Sequence, residues 1–341
     1  MNFPKLGSRW PLYKVLLACA LSGAFTYAIS HNINEKSKTK RLEKTDNATT
    51  PGINILRLND FKFIHPLLTA DVAEESKKFQ QLKEEISSFV KTEKQKAVLA
   101  EASVYIQDLT DGNWTSVNDY ELYDPGSILK LPILLAYLKK DEKEPGLFSK
   151  VIYYTGPDTA MPRQTIKANT LKAGNYYTVK ELLNYMIVDS DNEANSLLNR
   201  AIEPEMIYKV FTDIGLKKPE MNQSNVQMKC SEVSKFMNVL YNSNYADHRH
   251  SEFALQLLSE TKFSEGMKNG LPDSILLVHK FGERGYQNTD FQEIHESGII
   301  FSEHGNILLT IMTKGVNQKE QMRIISEISR MCFRHISKKA I

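Results

Sequence analysis

Asp124-Pro125-Gly126-Ser127-Ile128-Leu129-Lys130-Leu131-Pro132-Ile133-Leu134-Leu135-Ala136 is the stretch whose reading decides the fold. Pro125-Gly126 breaks the chain, and the apolar run behind it predicts a buried helix from Ser127 to Lys139. A serine that opens a helix holds its hydroxyl near backbone N–H groups able to stabilise a developing oxyanion. Lys130 follows three residues later on the same helical face. A lysine at the head of an almost wholly apolar segment costs free energy unless it has a role. Desolvation lowers its pKa, and as a free amine it can take the serine proton. Ser-x-x-Lys alone proves little, because it recurs at Ser37/Lys40, Ser88/Lys91 and Ser259/Lys262.

Upstream, Val72, Phe79, Leu82, Ile86, Phe89 and Val90 recur at helical spacing among Glu and Lys, predicting a long amphipathic helix from Asp71 to about Lys94. Residues 102–107, the turn Asp111-Gly112-Asn113 and residues 114–117 read as a hairpin. Downstream, helices are predicted over 179–188, 193–202, 205–214 and 231–241, with no convincing strand among them. Strands return at 275–281, 291–301 and 306–313, and an amphipathic helix runs from Gln318 to about Ser337. That order predicts an α+β fold: a five-stranded antiparallel sheet flanked by the terminal helices, with an all-helical lobe at about 131–272 inserted between strands two and three.

Two further motifs follow along the chain. Ser190-Asp191-Asn192 lies at the joint between two helices, where a bare helix cap is the bland explanation. In a functional reading Ser190 passes a proton to the leaving group, Asn192 holds a substrate amide and Asp191 braces the turn. Lys280-Phe281-Gly282 ends the first returning strand. Lys280 there can bind a substrate carboxylate and tune Ser190, Gly282 lets a substrate backbone lie close, and the N–H of Glu283 is the second oxyanion donor. His279 and His295 are expected to be sheet residues facing away from the site.

The ordered Ser127-x-x-Lys130, Ser190-Asp191-Asn192 and Lys280-x-Gly282 elements resemble those of the penicillin-recognising serine enzymes, most closely the class A β-lactamase-like branch, over roughly residues 61–338. The resemblance implies a class A β-lactamase-like fold and a serine hydrolase that forms an acyl-enzyme with a β-lactam or a D-alanyl cell-wall peptide. Two departures bear on turnover. Phe281 replaces the threonine of the family's third motif, removing a hydroxyl from the carboxylate site. The family's loop glutamate, which activates water to clear the acyl-enzyme, is matched by lysine in Lys218-Pro219-Glu220-Met221-Asn222. Glu203-Pro204 more simply starts a helix. Acylation can then proceed while hydrolysis stalls, which leaves a non-turnover binding or sensing module as the alternative.

The chain of 341 residues has an ordinary globular composition, 41% apolar and 25% charged, with one exception. Val15 to Ser30 runs uncharged behind Lys5, Arg9 and Lys14. An uncleaved membrane anchor is favoured over a cleaved signal because no small-x-small processing pattern follows Ser22, and a lipid-modified Cys19 has too short an apolar core before it. Residues 1–30 are therefore expected to anchor or address the chain, 31–60 to form a polar tether and 61–341 to fold outside the cytoplasm, secreted if the segment is cleaved. The first 50 residues hold eight Lys/Arg against three Asp/Glu, leaving 35 basic and 38 acidic residues for the rest. That balance argues against nucleic acid. Cys230 and Cys332 can pair or stay as buried thiols. The eight histidines show no metal-ligand spacing, and no cofactor motif is present.

Overall fold

The computed structural model describes residues 52–58, 66–157, 170–219, 226–286 and 288–337, all within the unit Thr49–Ile341. The apolar segment Val15–Ser30 lies outside these residues, and no helix among those described is long and apolar enough to cross a membrane.

Five strands build the central sheet: β3 (Glu101–Asp108), β4 (Trp114–Val117), β7 (Leu276–Gly285), β8 (Gln292–Phe301) and β9 (Ile307–Gly315). Their order is β4-β3-β9-β8-β7, antiparallel throughout. Side chains alternate across the sheet as strand geometry requires. Val104, Ile106, Phe281, Ile294, Leu309 and Ile311 join one core, and Val278, Ile299, Leu308 and Met312 join the other. The first core is closed by α1 (Gln80–Gln95) and α8 (Gln318–Ser337). On α1, Leu82, Ile86 and Val90 form the buried stripe, and on α8 Met322, Ile325, Ile328, Cys332 and Ile336 do so, both at helical spacing.

The second core is the helical lobe: α2 (Lys130–Lys143), α3 (Val179–Val188), α4 (Asn192–Ala201), α5 (Pro204–Asp213), α6 (Cys230–Tyr241) and α7 (His248–Ser259). This is the expected α+β arrangement, with the helices inserted between strands two and three of the sheet. Cys230 and Cys332 are both unpaired buried thiols, one in each core, with the sheet between them.

Three expectations shift. The amphipathic helix does not start at Asp71: β2 (Leu67–Val72) takes that residue, and a 3-10 turn at Lys77–Phe79, capped by Ser76, precedes α1. Val72 pairs with Ile53 of β1 (Ile53–Arg57), so a strand occupies positions read as tether. Alternating Ile53 and Ile55 suit a strand, and Leu58 reaches the lobe core. The helical block also contains strands, the hairpin β5 (Val151–Tyr154) and β6 (Asn175–Thr178), with four residues each. Four residues are too few for alternation to stand out against neighbouring helical patterns.

Candidate active site

The turn that carries Ser127 is built on two glycines. Gly126 adopts φ +55°, which lets the chain fold tightly after Pro125 into a 3-10 turn (Gly126–Leu129) that continues into α2. Gly282 of β7 lies directly beneath: a Cβ there would stand 2.3 Å from the Pro125 carbonyl oxygen and 3.1 Å from Ile128 N. A Cβ on Gly126 would likewise lie 2.4 Å from the Glu283 carbonyl oxygen. Ser127 and the backbone of Glu283 are thus held side by side, because neither glycine has a side chain to separate them.

Lys130, at the start of α2, is 3% exposed, and Lys280 on the lobe face of β7 has no exposure at all. Both reach Ser190. Lys130 Nζ lies within hydrogen-bond distance of the Ser190 carbonyl oxygen, of Ser190 Oγ at 3.2 Å and of Asn192 Oδ1 at 2.9 Å. Lys280 Nζ donates to Ser190 Oγ at 2.8 Å and to its neighbour's carbonyl, Phe281 O, at 3.2 Å. The Ser190-Asp191-Asn192 joint serves two purposes at once. Asp191 caps α4, accepting from Ala194 N at 2.7 Å, while Ser190 takes φ +53°. That left-handed conformation costs roughly 1–2 kcal/mol for a non-glycine residue, and it accompanies the presentation of Ser190 O, Ser190 Oγ and Asn192 Oδ1 to one lysine.

Both lysines are shifted toward the neutral amine here. Burial, reinforced by the Lys280 charge beside it, drives the Lys130 pKa well below the ordinary lysine value. Burial also pushes Lys280 down to about 7, against the opposing pull of Glu296 and Glu283. Of the residues singled out in the sequence, Lys130, Ser190, Asn192 and Lys280 meet in one hydrogen-bonded cluster. Ser127, Gly282 and Glu283 meet at the adjoining turn. The Ser127 hydroxyl makes no hydrogen bond to Lys130 or Ser190; catalytic bonds are often loose before substrate arrives.

Phe281 does not enter the site. It faces the terminal-helix core and stacks on Phe263, ring centroids 4.0 Å apart. Lys218 is exposed, its Nζ 4.7 Å above the Tyr208 ring, and Glu220, Met221 and Asn222 lie outside the described residues. His279 faces away as expected, its Nδ1 2.5 Å from Glu296 Oε1. His295 does not face away: it points from β8 toward the Ser127 turn and donates from Nε2 to the Asp124 carbonyl at 3.0 Å. Glu293 accepts from Asp124 N at 2.8 Å. Glu293 was missed in the sequence and His295 was expected to face away; the available signal was their spacing of two, which puts both on one face of the strand.

Glu142, Asp247 and His250 come together in the lobe with ligand atoms within 4.8 Å of one another, from positions too far apart in the chain to suggest a metal site. Their donors are already engaged with protein groups. His250 bridges Asp141 and Asp247 at 3.0 and 2.8 Å, and Glu142 accepts from Lys139 and from Asp247 N. The arrangement locks the start of α7 onto α2.

Residues 81–336 match the model of the beta-lactamase enzyme family. The chain is similar to beta-lactamase VEB-1 of Pseudomonas aeruginosa, 24% identical over 263 residues that cover 70% of this chain and 87% of that protein. Among solved structures it is similar to PBP-A, with a TM-score of 0.66, 20% identity and coverage of 78% and 99% of the two chains. A PBP-A variant was also solved as an acyl-enzyme complex with penicillin G, TM-score 0.63, 21% identical, covering 76% and 97%. The TLA-1 extended-spectrum beta-lactamase gives 0.65, 19%, 76% and 99% on the same measures. With the family match spanning three quarters of its length and the fold in agreement, the chain belongs to the beta-lactamase enzyme family.

Proposed function

We propose that this protein is a serine hydrolase that acts through an acyl-enzyme on Ser127, with a β-lactam or a D-alanyl cell-wall peptide as substrate. The observation that carries the reading is the convergence of two buried lysines, Lys130 and Lys280, on Ser190 Oγ beside the Ser127 turn. In this mechanism Ser127 Oγ attacks the amide carbonyl as Lys130, a free amine, takes its proton. The oxyanion forms between the N–H groups of Ser127 and Glu283. The proton passes through Ser190 to the leaving nitrogen as the carbon–nitrogen bond breaks. Asn192 orients the substrate amide, Lys280 the substrate carboxylate, and Gly282 allows the substrate backbone to lie along β7.

Hydrolysis of the acyl-enzyme is the slow half in this reading. Lys218 stands where the family's water-activating glutamate is expected, and its side chain is turned onto Tyr208. The acyl-enzyme of the PBP-A variant with penicillin G supports the acylation step by analogy. The Lys218 departure favours as a second reading a sensor that is acylated and does not turn over. The apolar Val15–Ser30 segment supports a tether that holds the domain outside the cytoplasm.

Labelling of the full chain with a fluorescent penicillin, beside its Ser127→Ala variant, tests the proposal. Label on the parent and none on the variant is expected. No label on either at any time would remove the acyl-enzyme mechanism, and label on both would place the nucleophile elsewhere.

A further inference from the structure

We propose that Glu293 and His295 are positioning residues for Ser127, forming a buried clamp on the backbone of the nucleophile turn; the inference rests on the acylation reading above. Asp124 lies three residues before Ser127, and both polar groups of its main chain are held by side chains of β8. Glu293 Oε2 accepts its N–H at 2.8 Å and His295 Nε2 donates to its carbonyl at 3.0 Å. The clamp reaches the turn past β7 because the residue paired with His295 is Gly282.

The far ends of both side chains are fixed as well. Tyr286 donates to Glu293 Oε1 at 2.7 Å, and Thr313 N of β9 donates to His295 Nδ1 at 3.2 Å. The second contact sets the tautomer: Nδ1 accepts, so the proton sits on Nε2, 3.0 Å from the Asp124 carbonyl and 3.3 Å from Glu293 Oε2, which ties the two arms of the clamp together. The Tyr123 ring packs edge-on against His295, centroids 5.4 Å apart. The Asp124 carboxylate closes the other side, accepting from Gly126 N at 3.1 Å with Arg284 Nε 3.2 Å away. His295 is fully buried and Glu293 nearly so, so neither bond competes with water.

The consequence is chemical as well as structural. The oxyanion donor at Ser127 is a backbone N–H, and the hydroxyl is carried on the same residue. A shift of the turn misdirects both together, and a displacement of about 1 Å costs on the order of 10²-fold in rate. Glu293 and His295 touch neither, acting only through Asp124.

Two half-replacements of the imidazole separate the clamp from a general packing role. In His295→Gln the side-chain amide reaches the Nε2 position and keeps a donor for Asp124. In His295→Asn it reaches only the Nδ1 position, keeping Thr313 and losing Asp124. Acylation by a fluorescent penicillin is measured on the full chain as a rate constant and as a dissociation constant for the initial complex, with thermal midpoints recorded in parallel. The expected result is an acylation rate constant about 10²-fold lower in His295→Asn, nearly parental in His295→Gln, with initial binding unchanged in both. Glu293→Met, which has no acceptor, should be slow and Glu293→Gln nearly parental, which provides a second pair should a histidine variant not fold. Equal rates across each pair, or losses that follow the thermal midpoints rather than the retained donor, overturn the clamp alone. An unlabelled parent overturns the acylation reading, and the clamp's role with it.

Discussion

Lys280 carries an amine with no solvent exposure, pushed down to about 7 chiefly by burial. Lys130 is displaced in the same direction. In the unfolded chain both have ordinary values near 10.4, so between pH 7 and 10 the unfolded state binds more protons than the folded one. Stability therefore rises with pH across that window, and the full cost of burying the amines is present below pH 7. Lys280→Met should accordingly fold more stably than the parent at pH 6, on the order of 3 kcal/mol, while losing acylation. Urea midpoints of both proteins at pH 6, 7, 8 and 9 measure this; a flat parental profile with no gain in the variant would contradict it. Lys130 was legible in the sequence because a charge heading an apolar helix has few structural reasons to be there. His295 was not, because its role depends on which strand residue is paired with Gly282, and register is invisible without the partner strand.

β7 shows how one element can serve two layers. Lys280 faces the lobe and Phe281 the terminal helices, as alternation requires. Reading Phe281 as a lost site hydroxyl treated neighbouring residues as if they shared a face. Phe281→Thr is therefore expected to cost about 2–4 kcal/mol from lost packing against Phe263 and to leave the penicillin acylation rate constant within a few-fold of the parent. A large gain in acylation would show that the hydroxyl does reach the substrate. Gly282→Ala should act in the opposite way. Its Cβ would meet backbone atoms of Pro125 and Ile128 that cannot rotate aside, so acylation falls by about 10²-fold. Stopped-flow labelling with a parental rate would contradict this close approach. The long strands and α8 were readable from periodicity, whereas β1, β2 and the β5–β6 hairpin were not. Each of these is stabilised by pairing with another short segment rather than by its own pattern.

For the whole molecule, the site lies at the seam between the helical lobe and the sheet: Ser127 and Lys130 come from the lobe's entry, Ser190 and Asn192 from its middle and Lys280 from the strand after its exit. The chain order of the three motifs was legible because that topology returns the chain to the sheet beside its point of departure. Two cores separated by the sheet also keep Cys230 and Cys332 apart. Alkylation under native conditions should spare both, and alkylation after unfolding without reductant should label both; a requirement for reductant would indicate a disulfide. Slow release of an acylated Ser127 is tested by mass spectrometry of the peptide containing Ser127 after a pulse of penicillin and a timed chase with the full chain. A penicilloyl adduct on Ser127 that persists through many minutes of chase is expected. An adduct on another residue, or no adduct together with an undiminished penicillin pool, would contradict it.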